Sequence, residues 1–217
     1  MKFPARVEIV EVGPRDGFQN VKTMIPTAVK QEIVDAVIAA GVKAMEVTSF
    51  VHPKAIPQMA DAADVVRATL ASPAARDVRL FALVPNLTGA KKAYECGLRE
   101  ITCVISVSEK HNLANVNRTP EQSLADLAAI IAELPGLKVR LAAATVFGCP
   151  FAGSVPVEDV LRLVKSALAA GVKSVTLCDT IGVGTPRQVH EISRQVLAAA
   201  GGVPVALHLH DTRGMGL

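Results

Sequence analysis

Two histidines near the end of the chain, His208 and His210, have the spacing of a metal-binding pair. They stand in the segment LHLHD, separated by Leu209. Because alternate residues of a β-strand point to the same side, a strand here would present both imidazoles to one point. Two imidazoles and one carboxylate are a recurring ligand set for divalent metals. The alternative is a structural pair whose rings hydrogen-bond to neighbouring groups.

A second chemical signal, VGPRDGFQN, stands near the start of the chain. Arg15 and Asp16 follow the apolar run at residues 7–12 after only a Gly-Pro pair. A plain turn would need neither charge. Asp16 is therefore a candidate for the carboxylate ligand beside His208 and His210.

Glu46 is unusual because the segment KAMEVTSF places a carboxylate in the middle of an apolar run. An unpaired buried carboxylate is costly, so it needs a partner, and Arg15 is the nearest candidate cation. One interpretation is a structural ion pair that only orients Arg15. The other is catalytic, with Glu46 holding Arg15 as a permanently charged donor aimed at an oxyanion. The two are compatible.

Asp179 ends another apolar run and precedes TIGVGTP. It is either a turn or helix-capping residue, or a proton acceptor that also orients a ligand.

These residues stand at the ends of a repeated strand and helix pattern. Segments with apolar residues three and four apart predict helices between the strands, with prolines near helix starts and glycines at helix ends. Strand-like runs cover residues 7–12, 44–50, 78–84, 100–107, 139–146, 174–178 and 203–209. We therefore predict an α/β fold, a TIM (β/α)8 barrel that is incomplete and ends after the seventh strand.

We expect residues 1–217 to form a single catalytic barrel domain that lacks the last helix, strand and helix. In such a barrel the carboxyl ends of the strands form the active mouth. Strands one and seven flank strand eight in a closed barrel, so Asp16 can reach the point addressed by His208 and His210. Mg²⁺ or Mn²⁺ would suit an oxygen-rich substrate there.

Composition limits the classes of partner. The formal charge of +3, one tyrosine and the absence of tryptophan argue against a nucleic-acid surface. No apolar run reaches the length of a membrane helix, and only six residues precede the first predicted strand, so we expect no membrane partner and no signal peptide. The four separated cysteines form no zinc or disulfide pattern, which favours a reducing, cytoplasmic setting.

Six motifs, in this order and spacing, resemble the hydroxymethylglutaryl-CoA lyase family of metal-dependent TIM-barrel enzymes. They are VGPRDGFQN, EVTSFVHPKAIPQM, PNLTGAKKA, FGCPF, CDTIGVGTP and HLHDT, and the similarity runs through essentially the whole chain.

The resemblance implies cleavage of 3-hydroxy-3-methylglutaryl-CoA, or a related 3-hydroxyacyl-CoA, to acetyl-CoA and a keto acid such as acetoacetate. It also implies an acyl-CoA substrate and is compatible with a homo-oligomer. By position, the metal ligands are Asp16, His208 and His210; the catalytic residues are Arg15, Glu46, Asp179 and His208; and the substrate-binding residues are Arg15, Gln19 and Thr180.

Departures from the family pattern leave alternatives open. Arg213 stands where the better-known lyases usually carry tyrosine, and Cys149 is predicted to be a packed thiol. A further asparagine ligand and a glycine-rich loop with a catalytic cysteine would follow Leu217. The alternatives are an acyl-CoA-condensing synthase, a 2-oxo acid aldolase, a metal-dependent hydrolase or an inactive scaffold.

Overall fold

The computed structural model describes residues 5–216. Residues 1–4 and 217, which belong to the predicted single domain, lie outside the described residues. Strands and helices alternate along the described chain, in agreement with the predicted α/β class. The strands are β1 (Ala44–Ser49), β2 (Arg79–Val84), β3 (Glu100–Ser106), β4 (Lys138–Ala144), β5 (Ser174–Asp179) and β6 (Val205–Leu209). The helices are α1 (Thr27–Ala39), α2 (Ala62–Ala71), α3 (Leu87–Glu95), α4 (Glu109–Val116), α5 (Pro120–Glu133), α6 (Val157–Ala170) and α7 (Pro186–Ala199).

The chain contains two compact units, and the boundary falls within β3. The first comprises residues 1–84 and 88–101. In it β1 pairs in parallel with β2, from Ala44 opposite Arg79 to Ser49 opposite Leu83. All six residues of β1 are buried, and α1 packs against α2. Burial of the whole of β1 explains why its apolar run is nearly continuous.

The second unit comprises residues 85–87 and 102–217. Here β4 pairs in parallel with β5, and β5 with β6, so neighbours in the chain are neighbours in the sheet. All residues of β4 after Lys138 are buried and β5 is mostly buried, whereas every residue of β6 is at least partly exposed. Helices α5, α6 and α7 pack against one another in chain order. This arrangement brings the ends of β4, β5 and β6 side by side.

Local sequence signals set the helix boundaries as predicted. Helices α5 and α7 each begin at a Thr-Pro pair, and the threonine forms a reciprocal capping box with a glutamine three residues later. Helix α6 ends at Gly171, whose φ of 104° is the left-handed conformation that glycine adopts at low cost. Among the described residues, no helix combines the length and apolar character needed to cross a membrane.

The prediction of a first strand at residues 7–12 was wrong. In the described structure it makes no ladder, only one parallel bridge between Glu11 and Met45. Val7 and Ile9 are 73% and 71% exposed, so their side chains gain no burial that would hold an extended strand. The seventh predicted strand is consequently the sixth observed one, β6. Whether residues 1–217 act as one catalytic domain stays a prediction.

Candidate active site

Arg15 and Asp16 lie in a single π-helical turn, Gly13–Gly17. Its wide loop is closed by the Phe18 N–H, which donates to the Gly13 carbonyl. The Gly13 N–H donates to Glu11 Oε1 at 2.6 Å, and a Cβ at position 13 would lie 2.9 Å from that same oxygen. A side chain at this position would displace the Glu11 carboxylate, so glycine permits this hydrogen bond.

Glu46 holds Arg15 through a short, buried ion pair. Arg15 Nε donates to Glu46 Oε2 at 2.5 Å, and Glu46 is 3% exposed. Arg15 Nη1 also donates to Asp16 Oδ1 at 2.8 Å. The buried carboxylate thus has the cationic partner predicted from the sequence. Because two carboxylates grip one guanidinium, its orientation is fixed.

Asp16 is itself held by its neighbours in the turn. Gln19 Nε2 donates to Asp16 Oδ1 at 3.2 Å, and Asn20 Nδ2 donates to the Asp16 carbonyl at 2.7 Å. Gln19, predicted to bind substrate, therefore contacts Asp16 in this structure. Its observed contact orients the candidate carboxylate ligand.

His208 stands in β6, and His210 directly follows the end of this strand, two positions along the chain. Their ring centroids are 5.0 Å apart, and the rings are nearly perpendicular, at 87°. His208 lies opposite Cys178 of β5, and His210 is exposed just beyond the strand. The pair is close enough for both imidazoles to address one ion.

The His210 ring is oriented by the chain that follows β5. His210 Nδ1 lies 3.1 Å from the Thr180 carbonyl oxygen. Because a carbonyl oxygen can only accept, Nδ1 carries a proton, and in the neutral ring Nε2 is then the nitrogen with the lone pair. A metal-binding histidine commonly has this arrangement, with one nitrogen tied to a carbonyl and the other available for the metal.

Asp179 caps the loop that follows β5. Its Oδ1 accepts the Val183 N–H at 3.0 Å, and its Oδ2 accepts the Gly184 N–H at 3.0 Å. A Cβ at Gly184 would lie 3.0 Å from Oδ2, so glycine permits the close approach. These contacts are those of the turn-capping interpretation. Each oxygen keeps a second lone pair, so a proton-accepting role stays a prediction.

The exposed Arg213 side chain hydrogen-bonds to the backbone of the same loop. Its Nη2 donates to the Val183 carbonyl at 2.5 Å and to the Gly184 carbonyl at 3.2 Å. A Cβ at Gly182 would lie 1.9 Å from Thr212 Oγ1, so only glycine fits where these segments meet. The arginine that departs from the family pattern therefore holds loop backbone here.

Sequence reasoning missed a polar cluster at the ends of β3 and β4. Ser106 Oγ lies 2.7 Å from His111 Nδ1, and burial lowers the pKa of His111. The buried Thr145 has a φ of 61°, which is rare for a β-branched residue. The sequence carried no signal for Ser106 and Thr145, which lie inside the predicted strands 100–107 and 139–146, because no local pattern shows a backbone dihedral.

Cys149 is buried as predicted, and its thiol lies 3.0 Å from Ser108 Oγ. Burial alone would raise its pKa, but hydrogen bonds from Ser108 and from the Phe151 and Ala152 N–H groups, with the nearby Lys110 charge, leave the pKa lowered. His52 and His190 are exposed.

Comparison with known proteins gives one consistent result. The sequence profile described as HMGL-like matches residues 6–217. A mitochondrial hydroxymethylglutaryl-CoA lyase of Arabidopsis thaliana is 41% identical over 217 residues, which cover 99% of this chain and 46% of that protein. The chain therefore spans about half the length of that relative.

Two solved structures are similar over nearly the whole chain. The HMG-CoA lyase of Bacillus subtilis has a TM-score of 0.92 at 39% identity, covering 99% of this chain and 72% of that one. An HMG-CoA lyase of Acinetobacter baumannii, in complex with coenzyme A and 3-methylmalate, has a TM-score of 0.90 at 38% identity, covering 95% and 67%. These similarities confirm the predicted fold class, an incomplete TIM barrel.

Proposed function

Because the chain belongs to the HMGL-like family, we propose that it is a C–C bond lyase acting on 3-hydroxy-3-methylglutaryl-CoA or a related 3-hydroxyacyl-CoA. The products would be acetyl-CoA and a keto acid, acetoacetate for the named substrate. The observation that carries this proposal is similarity to hydroxymethylglutaryl-CoA lyases across 99% of the chain. The complex of the Acinetobacter relative with coenzyme A supports an acyl-CoA as the partner.

Arg15 is the proposed stabiliser of the leaving fragment. When the C–C bond breaks, the acetyl-CoA enolate leaves with negative charge on its oxygen. A guanidinium fixed by Glu46 and Asp16 needs little rearrangement to meet that charge. Glu46 acts on the reaction through Arg15, by holding it in place.

The residues present fit a divalent metal. His210 Nδ1 lies against a carbonyl oxygen, so Nε2 is the proposed ligand atom, and the His208 ring lies 5.0 Å away at the end of β6. Asp16 supplies the carboxylate of the proposed set. This combination of two imidazoles and one carboxylate suits Mn²⁺ or Mg²⁺ with an oxygen-rich substrate. When bound, such an ion lowers the pKa of a substrate hydroxyl.

The proton of the C3 hydroxyl must pass to a base on the protein. Asp179 and His208 are the two candidates, and both stand at adjacent strand ends because Asp179 ends β5 beside β6. Asp179→Asn would remove the carboxylate base while keeping a side-chain oxygen for one loop N–H. We expect turnover to collapse in this variant if Asp179 is the base, with the loop retained.

Gln19 and Thr180 complete the proposed substrate-binding set. Gln19 adjoins Asp16, and the Thr180 side chain accepts the Thr145 N–H at 2.7 Å. The Gln19 side chain is thus held by the Asp16 carboxylate and the Thr180 side chain by a backbone N–H, so both would bind substrate from fixed positions. We further propose a cytoplasmic enzyme that uses no nucleic-acid or membrane partner and is compatible with a homo-oligomer.

The deciding experiment is a product assay with Mn²⁺ or Mg²⁺ present. Formation of acetoacetate and acetyl-CoA from 3-hydroxy-3-methylglutaryl-CoA supports the lyase. Condensation of acetyl-CoA with a 2-oxo acid, or cleavage of a 2-oxo acid aldol, would favour the synthase or aldolase alternatives. Free coenzyme A without acetoacetate would indicate a hydrolase, and metal binding without turnover would indicate a scaffold.

A further inference from the structure

Thr145, immediately after β4, combines full burial with a strained backbone. Its relative exposure is 0%, and its φ is 61°. A β-branched residue is rarely found in this left-handed region, because its side chain crowds the backbone there. Such strain persists only where surrounding contacts enforce it, and it concentrates at functional positions.

The contacts that enforce this conformation are hydrogen bonds from three directions. Thr145 Oγ1 donates to the Ala144 carbonyl at 2.7 Å and accepts the Ser108 N–H at 3.2 Å. The next residue, Val146, returns to the sheet, since its N–H donates to the Cys178 carbonyl at 3.3 Å. The strain is therefore confined to one residue between two anchored neighbours.

The consequence of the left-handed turn is the direction of the Thr145 N–H. It donates to Thr180 Oγ1 at 2.7 Å, so the strained residue fixes the first residue after β5. The Thr180 carbonyl in turn accepts from His210 Nδ1 at 3.1 Å. One hydrogen-bonded chain thus runs from Ser108 through Thr145 and Thr180 to His210, crossing the ends of β4, β5 and β6.

We propose that Thr145 is a positioning residue for His210. By fixing Thr180, it holds the carbonyl that accepts the His210 Nδ1 proton and so sets the orientation of the imidazole ring. This inference rests on the proposed metal site, because it is the Nε2 lone pair that the ion would need. Loss of a group that orients a histidine ligand typically weakens metal binding by about 10- to 100-fold.

The test compares five variants of the 217-residue chain, of which one is a control. Thr145→Val removes the hydroxyl that anchors the strained turn, and Thr180→Val removes the acceptor of the Thr145 N–H. Thr145→Ser and Thr180→Ser keep the hydroxyls and serve as conservative rescues. Thr69→Val is a matched control, because Thr69 is also fully buried and its hydroxyl donates to the Val65 carbonyl in the other unit.

Two readouts are taken from each folded protein. Long-range ¹H–¹⁵N spectra of the metal-free protein report the tautomer of His210, and calorimetry reports Mn²⁺ affinity. We expect Nδ1–H in the parent and in both serine variants, and a mixture of tautomers with about tenfold weaker Mn²⁺ binding in both valine variants. Thr69→Val should match the parent in both readouts.

A parent-like tautomer and Mn²⁺ affinity in both valine variants would overturn the positioning role. If Thr145→Val does not fold, Thr180→Val decides by itself. The tautomer needs no metal, so it separates this inference from the proposed function. An Nδ1–H tautomer that Thr180→Val disturbs, in a chain that binds no Mn²⁺ and cleaves no substrate, would uphold the positioning of His210 and count against metal binding and cleavage by these 217 residues.

Discussion

Glu46, in the middle of β1, accepts a hydrogen bond from Arg15 Nε at 2.5 Å although the two residues are 31 positions apart. The Glu46 side chain is 4% exposed and that of Arg15 is 11% exposed, so the pair is largely removed from water. Removing Glu46 takes away the more deeply buried of the two carboxylates that hold the Arg15 guanidinium and leaves Asp16 as its remaining ionic partner.

We therefore expect Glu46→Ala to lower the free energy of unfolding by about 2 kcal/mol, the value of a buried hydrogen bond between charged groups. Urea unfolding followed by circular dichroism measures it. Glu191→Ala is the control, because its bridge to Arg194 lies on the exposed face of α7 and should leave the urea midpoint unchanged. Equal midpoints for the two variants would show that the Arg15 pair contributes no more than a surface bridge.

Arg15 and Asp16 should fail in different ways. If Arg15 acts on an enolate oxygen that becomes strongly negative only as the bond breaks, Arg15→Met should lower kcat by about a hundred- to a thousandfold, with little change in KM. Asp16→Asn should instead weaken binding of the metal ion, so the activity of this variant should recover partly as the Mn²⁺ concentration is raised. Steady-state kinetics across a metal titration separates them. Near-normal kcat with a raised KM in Arg15→Met would limit Arg15 to substrate binding.

His210→Ala should abolish measurable Mn²⁺ binding, because it removes a ligand atom and not only its orientation. Isothermal titration calorimetry measures this directly. His190→Ala is the matched control, since His190 is exposed on α7 and is not part of the proposed ligand set. Retained Mn²⁺ affinity in His210→Ala would show that the ligand assignment is wrong.

Cys103, buried in β3, should make stability depend on alkaline pH. Burial raises the pKa of its thiol from 9.0 to about 12. Above pH 9 the unfolded chain loses this proton while the folded chain keeps it, so the thiol favours unfolding as pH rises. The contribution of the Cys103 thiol to the free energy of unfolding should fall by about 1.4 kcal/mol per pH unit once the thiol is ionised in the unfolded chain.

Urea unfolding of the parent and of Cys103→Ala between pH 8 and pH 10.5 tests this dependence. The difference in the free energy of unfolding between the two proteins should be constant below about pH 8.5. Above that pH the parent should lose stability relative to Cys103→Ala. Parallel stability curves over the whole range would show that the thiol ionises as easily in the folded chain as in the unfolded one.

The sequence by itself determined the features that depend on near neighbours. The alternation of LHLHD put both imidazoles on one side of β6, because side-chain direction in a strand has a period of two. Helices α5 and α7 begin at Thr-Pro pairs, where the threonine and the glutamine three residues later form a capping box. This motif needs only four consecutive residues, so it can be predicted from the sequence. Family membership also followed from short motifs in order, each readable without coordinates.

The tertiary structure decided what these residues touch. The bond from Thr145 to Thr180 spans 35 positions, and that from His210 to Thr180 spans 30, so no local pattern contained either. The left-handed φ of Thr145 is imposed by such distant contacts against its own preference. Residues 7–12 show the converse. Their apolar pattern predicted a strand. An apolar run forms a strand only where a neighbouring strand supplies hydrogen bonds along its length and other side chains bury its own. In the described structure this segment bridges to β1 only at Glu11, and Val7 and Ile9 are exposed.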